Sequence, residues 1–173
     1  MKSITRPDKT EYFEYYDKYV QIVPQGNLLD HFREVHEQTK KLILSLSEEQ
    51  LNYRYADGKW CIKEIIIHLA DAERVFAYRV LRFARKDTTP LSGFDENLYV
   101  PQSKAADRKI ADILREFSAV RQATLELLLS LDDEMFKRSG KANDKEISVR
   151  ALAYILLGHE MHHVNVIKER YLK

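Results

Sequence analysis

Residues 102–131 read QSKAADRKIADILREFSAVRQATLELLLSL, and their apolar positions recur at steps of four and three from Ala106 onward. Ala106, Ile110, Ile113, Phe117, Val120, Thr124, Leu127 and Leu131 line one narrow seam, the spacing that lets a helix pack on a near-parallel or antiparallel neighbour at about 20°. Residues 27–46 repeat it with Leu28, Phe32, Val35, Thr39, Leu42 and Leu46. Segments 60–86 and 148–172 are also helical in period, and a shorter one lies near 8–22. No segment alternates with period two over a useful length, so no strand is predicted. The expected fold is all-α: a four-helix bundle with an extra N-terminal helical segment.

Glycine and proline cut the chain at the places this reading needs. Pro24 with Gly26, Gly58, Pro90 with Gly93 and Pro101, and Gly140 mark four breaks. Asn27 and Ser148 are suited to cap helices. At roughly 3.3 Å per extended residue, the connector 87–101 is long enough to cross the bundle end to end, which frees two consecutive helices to run parallel. Pattern alone leaves handedness and connection order open.

A chain of 173 residues suits one domain that buries roughly 70% of its unfolded surface. A single unit over 1–173 is expected, with the extension 1–25 packing on the bundle. Lys and Arg number 28 against 27 Asp and Glu, a net charge of +1. That balance removes the simplest electrostatic case for a nucleic-acid or anionic-membrane partner. The longest apolar run, 151–157, falls far short of the roughly 20 residues a membrane span requires. The charged N-terminus has no apolar signal core. With Cys61 as the single cysteine, a disulfide framework is excluded and a reducing cytoplasm is expected.

The chemistry gathers in residues 148–173, SVRALAYILLGHEMHHVNVIKERYLK. At about 100° per residue, the arc of Val149, Leu152, Ile155, Leu156, Val166 and Ile167 has its centre near His159 and His163, while His162 points to the flank. His159 and His163 are one turn apart on one face and can reach one ion. Buried imidazoles need partners, either a divalent metal or hydrogen-bonding side chains, and spacing leaves both readings standing. His159-Glu160-x-x-His163 also fits the zincin string, but no histidine follows His163 to complete such a site. A third ligand must come from upstream, and His68, at the edge of the arc of Ile62, Ile65, Leu69, Ala72 and Phe76, is the candidate. Glu73, within that arc, either orients a histidine or pairs with an arginine. Gly158, inside a helix at a cost of about 1 kcal/mol relative to alanine, points to close approach of another helix or of substrate.

Gly58-Lys59-Trp60 followed by Ile62, Glu64, His68, Leu69 and Asp71, and Ser148-Val149-Arg150 leading to Gly158-His159-Glu160-x-x-His163, resemble the DinB/YfiT-like proteins. These are metal-binding four-helix bundles that include bacillithiol-dependent transferases and the metal domain of mycothiol-dependent maleylpyruvate isomerase. The resemblance runs from the helix near 27 to the C-terminus. It implies an up-down-down-up order, with His68, His159 and His163 holding a divalent metal. Zinc and nickel both suit imidazole. It further implies an enzyme acting on a small molecule and favours transfer to a low-molecular-weight thiol cosubstrate over hydrolysis, between which the residues themselves do not choose. Homodimerisation is left open. Cys61 departs from the family's Ser or Thr cap, and its thiol is a poorer acceptor in the box closed by Glu64.

Two classes of function follow. Three imidazoles leave positions open on an ion, as in catalytic zinc sites, whereas a structural site would supply four protein ligands. A metal-dependent enzyme is therefore favoured over a non-catalytic, stress-related metal-binding or interaction protein. No catalytic residue is assigned. Arg74, Arg79, Arg82 and Arg85 form a basic run expected to be a solvated face pairing with Glu and Asp, with the alternative that Arg79, within about 20° of His68, binds an anionic substrate group. Glu160 is expected to pair with an arginine or support a ligand histidine rather than act as general base. His31 and His36, about 60° to 80° off their seam, are expected at the boundary or surface, and the tyrosines of YFEYYDKY on an amphipathic face.

Overall fold

In a computed structural model, residues 4–172 are described. Two 3-10 turns, Lys9–Glu11 and Glu14–Tyr16, lead into α1 (Asp17–Ile22) and then α2 (Leu28–Leu44), α3 (Glu48–Asn52) and α4 (Ile62–Ala84). After these come α5 (Glu96–Gln102), α6 (Ile110–Ser130), α7 (Asp133–Lys137), the hairpin β1 (Ser139–Ala142) and β2 (Lys145–Ser148), and α8 (Val149–Val166) with a π turn, Ile167–Tyr171.

The caps lie where side chains can satisfy the free N–H groups of a first turn. Asn27 Oδ1 accepts from the N–H of Leu29 (3.0 Å) and Asp30 (3.4 Å), and Ser148 Oγ accepts from Ala151 (3.1 Å). At α4 Cys61 and Glu64 form the capping box, in which Glu64 Oε2 accepts from the Cys61 N–H at 2.8 Å. Arg54 grips the same carboxylate with two hydrogen bonds of 2.5 and 2.8 Å.

Helix directions follow from cross-helix contacts. Lys63 Nζ reaches Ala106 O, Glu73 pairs with Arg121, and Arg85 reaches Met135. Numbers rise together along both chains, so α4 and α6 are parallel. Phe32 meets Arg121 while His36 meets Ser118, which makes α2 antiparallel to α6. His68, early in α4, meets His159, late in α8, so those two are antiparallel. The order is up-down-down-up. Both α2 and α4 pack on α6 and on α8, leaving α2 and α4 at opposite corners. No helix of the described residues is long and apolar enough to cross a membrane.

Three departures from the sequence reading have local causes. A two-stranded antiparallel hairpin exists where none was predicted, with Ser139 opposite Ser148 and Ala142 opposite Lys145. Its turn residues, Asn143 (φ 50°) and Asp144 (φ 59°), are both left-handed, the tight-turn geometry most often marked by glycine, and four-residue strands are too short to show alternation. The connector 87–101 is also more structured than a bare crossover. Leu91 pairs with this hairpin, donating to Lys141 O and accepting from Asn143 N at 2.9 Å each, and α5 ends the connector. Finally, His36 is buried (5% exposed), not at the surface: Nε2 lies 3.0 Å from Ser118 Oγ and the ring packs on Phe117 at 4.7 Å. Burial, then the Arg121 charge, push it down to about 4.

The N-terminal segment lies along α8. Arg150 of α8 pairs with Glu11, the Tyr154 hydroxyl donates to Ile4 O at 3.1 Å, and Arg6 donates to the carbonyls of Val20 and Val23. Contact is closest at Gly158, where a β-carbon would stand 2.0 Å from Tyr19 O. We expect Gly158→Ala to lower the melting temperature by several degrees. Overpacking against backbone costs about 1–3 kcal/mol, more than the ~1 kcal/mol of helix propensity regained. A melting temperature at or above wild type would show that α1 can move away freely.

Candidate metal centre

Two faces of the bundle bring three imidazoles together. His159 and His163 stand one turn apart on α8, and His68 faces them from the first third of α4. Nε2 of His159 lies 3.1 Å from Nε2 of His68 and 3.1 Å from Nε2 of His163. One ring nitrogen from each of the three lies within 4.8 Å of the others. His162 is outside this group; its ring packs edge-on against Tyr19 at 5.4 Å.

The donor set can be tested against a metal on this geometry. A neutral imidazole has one N–H and one lone pair, so Nε2 of His159 can form at most one linear hydrogen bond with its two nitrogen neighbours. Two ligands on a tetrahedral ion with ~2.05 Å bonds stand roughly 3.3 Å apart, close to the spacing here. Burial, with no nearby carboxylate to oppose it, lowers the basicity of all three rings. His68 falls to about 4; His163, also repelled by its histidine neighbours, falls to about 3; and His159 falls well below 6.5. Neutral rings at physiological pH present lone pairs without a proton to lose. The residues fit a divalent ion such as zinc or nickel.

The cluster forms the floor of a cavity of about 570 Å³. Aromatic side chains in its walls include Phe13, Tyr16, Tyr19, Trp60, Phe76 and Phe94. Trp60 lies 4.8 Å from the His68 ring and Tyr19 5.4 Å from that of His159, both tilted or edge-on. Phe13, Tyr15, Tyr16 and Tyr19 belong to the segment read as an ordinary amphipathic face. It is amphipathic, but one flank of it walls the cavity, a role visible only once α1 is seen to cross Gly158.

Glu73 and Glu160 face away from this cavity, into the bundle. Arg121 of α6, 2% exposed, donates from Nε (2.9 Å) and Nη2 (2.7 Å) to the two oxygens of Glu73. Glu160 Oε2 lies 2.8 Å from Arg121 Nη2, a second buried ion pair on the same guanidinium. Burial raises the Glu160 carboxyl and the arginine opposes that shift. Of the two roles open to Glu73, the arginine pair is the one formed. The same pairing accounts for Glu160, which sits in the zincin position yet points at α2 and α6. Arg121 was not singled out by the sequence, since it flanks its helix seam and nothing local marks a charge as buried. His31 stays near the surface, with Nε2 3.0 Å from Gln25 O.

A bundle of this order, with three neutral imidazoles converging beneath an aromatic cavity, defines a class of metal-site helical proteins. Residues 31–167 match the DinB superfamily, and the chain belongs to it. YfiT of Bacillus subtilis, whose name proposes a metal-dependent hydrolase, is 26% identical over 161 residues, 88% of this chain and 82% of its own. A relative from Oceanobacillus iheyensis, with a name of the same kind, is 27% identical over 126 residues, 72% of each chain. The solved structure of YfiT, a four-helix bundle, matches with a TM-score of 0.74 at 23% identity, over 95% of this chain and 90% of that one.

Proposed function

We propose that His68, His159 and His163 hold a divalent metal ion, zinc or nickel, and that the chain is a metal-dependent enzyme acting on a small molecule in the cavity above them. The observation that carries this reading is the convergence of three uncharged imidazole nitrogens at a cavity floor, with open space on the remaining side. An ion held this way acts as a Lewis acid and lowers the pKa of a water or thiol it binds. The protein's own contribution is to keep the three rings neutral by burial, to fix them on two different helices, and to border the site with aromatic side chains. Glu160 contributes by pairing with Arg121 behind His159, not by taking a proton from substrate. The names of the relatives support hydrolysis, and the family's known thiol chemistry supports transfer to a low-molecular-weight thiol.

Because His68 lies on α4 and the other two on α8, an ion there ties two helices together and stabilises only the folded state. At a free metal concentration about 100 times Kd this linkage is worth about 2.7 kcal/mol, or roughly 5–10 °C in a chain of this size. Chelation should lower the melting temperature by that amount, and His68→Ala should abolish the shift. A full chelator effect persisting in His68→Ala removes that residue from the site. Chemistry is then separated by assaying the metal-loaded protein with an activated ester and with a thiol plus a haloalkane electrophile. Turnover of the first selects hydrolysis, turnover of the second selects transfer, and turnover of neither favours a non-catalytic metal protein.

A further inference from the structure

Three cations line the cavity above the histidines, and aromatic faces hold each of them. Lys18 Nζ lies 4.3 Å from the ring centre of Tyr15 and 4.9 Å from that of Tyr19. Lys145 Nζ lies 4.8 Å from Phe13, and the Arg79 guanidinium 5.2 Å from Phe76. Among the described residues, no carboxylate forms an ion pair with any of the three. Glu96 is the one acidic residue in the lining, so three cations against one carboxylate leave +2, with the histidines neutral. The whole chain carries only +1. The cavity is therefore a local concentration of positive charge on a nearly neutral protein.

Arg79 is the unusual member. It is 4% exposed, yet among the described residues the acceptors around it are only the carbonyl of Ser92, at 3.0 Å from Nη2, and the hydroxyl of Tyr16. A guanidinium has five N–H donors in a fork suited to a carboxylate or phosphate. Burying that charge without a counter-ion is costly, and Arg121, the other buried arginine, has two carboxylates. Arg79 follows His68 by eleven positions on α4. That is three turns, so both side chains leave the same face of the helix about 16 Å apart along its axis.

We propose that the cavity selects elongated substrates with an anionic group, a carboxylate in the first instance, at one end of a flat apolar body. Arg79 receives the anion, Lys18 and Lys145 raise its local concentration, and the aromatic walls hold the body so that the opposite end lies over the three histidines. This rests on the metal-site reading for the place of reaction, but the anion subsite itself needs no metal.

The test uses chelator-treated protein and two probes of one shape, 4-phenylbutanoate and its neutral amide, titrated by calorimetry. The acid should bind about tenfold or more tightly than the amide, the advantage of a charge-assisted pair over a neutral contact. Arg79→Gln should bring the two probes to equal affinity while leaving metal stoichiometry unchanged. Lys18→Gln with Lys145→Gln, both at exposed positions, should reduce the preference and its salt dependence without abolishing it. Should Arg79→Gln fail to fold, Arg79→Lys decides, because it keeps the charge, loses the fork and should cut the preference by about threefold or more. Equal binding of acid and amide to wild type, an undiminished preference in the Arg79 variants, or no binding of either probe overturns the proposal. Loss of metal binding with the preference intact refutes the metal reading alone.

Discussion

His159→Ala should strip the protein of bound metal, His163→Ala should do nearly the same, and His162→Ala should leave the stoichiometry near wild type. His159 is the hinge of the cluster, since its Nε2 lies 3.1 Å from both other ring nitrogens, and it is the most deeply held of the three on α8. Loss of an outer partner typically costs 10–100-fold in affinity, and loss of one of only three direct ligands should exceed that. His162 lies next to His163 in sequence, but the helix turns it about 100° away, against Tyr19 and the cavity wall. Metal analysis of the purified variants decides this, with circular dichroism confirming that each remains helical. If His162→Ala lost metal and His159→Ala kept it, the assignment of the inward face of α8 would be wrong.

The second large effect is on stability. Arg121→Met should lower the melting temperature by roughly 10 °C or more, because it leaves the carboxylates of Glu73 and Glu160 buried, at 2% and 1% exposure, with no counter-charge. Removing one partner of a buried ion pair costs about 3–5 kcal/mol, and a domain of this size loses roughly 2–4 °C per kcal/mol. The Arg121 guanidinium is also packed over the rings of Phe32 (4.7 Å) and Phe117 (5.7 Å). Methionine keeps part of that packing, so the loss reports mainly on charge. Adding Glu73→Leu and Glu160→Gln to Arg121→Met should recover much of the stability, since replacing a whole buried ion group with uncharged residues is often neutral or better. Thermal melts of the single and triple variants test both statements. A single variant within about 1 kcal/mol of wild type would mean that water reaches the two carboxylates.

This trio also decides what Glu160 does. Metal stoichiometry should fall with Arg121→Met as α8 loses its anchor beside His159, even where the helix content is retained. Such a loss places Arg121 behind the histidines as a positioning residue, several side chains removed from any reacting atom.

The helices of the bundle were legible from residues alone. The seams on 27–46 and 102–131 appear as α2 and α6; the Asn27 cap sets the start of α2, whereas α6 begins only at Ile110, because residues 102–107 belong to the end of α5 and a separate 3-10 turn. His159 and His163 lie on the inward face that the arc of α8 predicted, and the glycine before them does mark a close approach, by the backbone of Tyr19. Other features had no local signal. His36 is buried because Phe117 and Ser118 of α6 cover it, and the tyrosines of the N-terminal segment wall a cavity because α1 crosses α8 there. Arg121 reads as an unremarkable flank residue until two glutamates from other helices close on it.

The division has a physical basis. Which side of a helix is apolar, and which residues share a side, depends on a fixed turn of about 100° per residue, so the amino-acid sequence by itself determined the helices, the inward pair His159 and His163, and the candidacy of His68. Whether His68 meets that pair, which way each helix runs, and what covers the imidazoles depend on the offset and rotation between helices. Those are set by many side chains packing at once across the bundle, each contact worth little alone, and only the tertiary structure decided them.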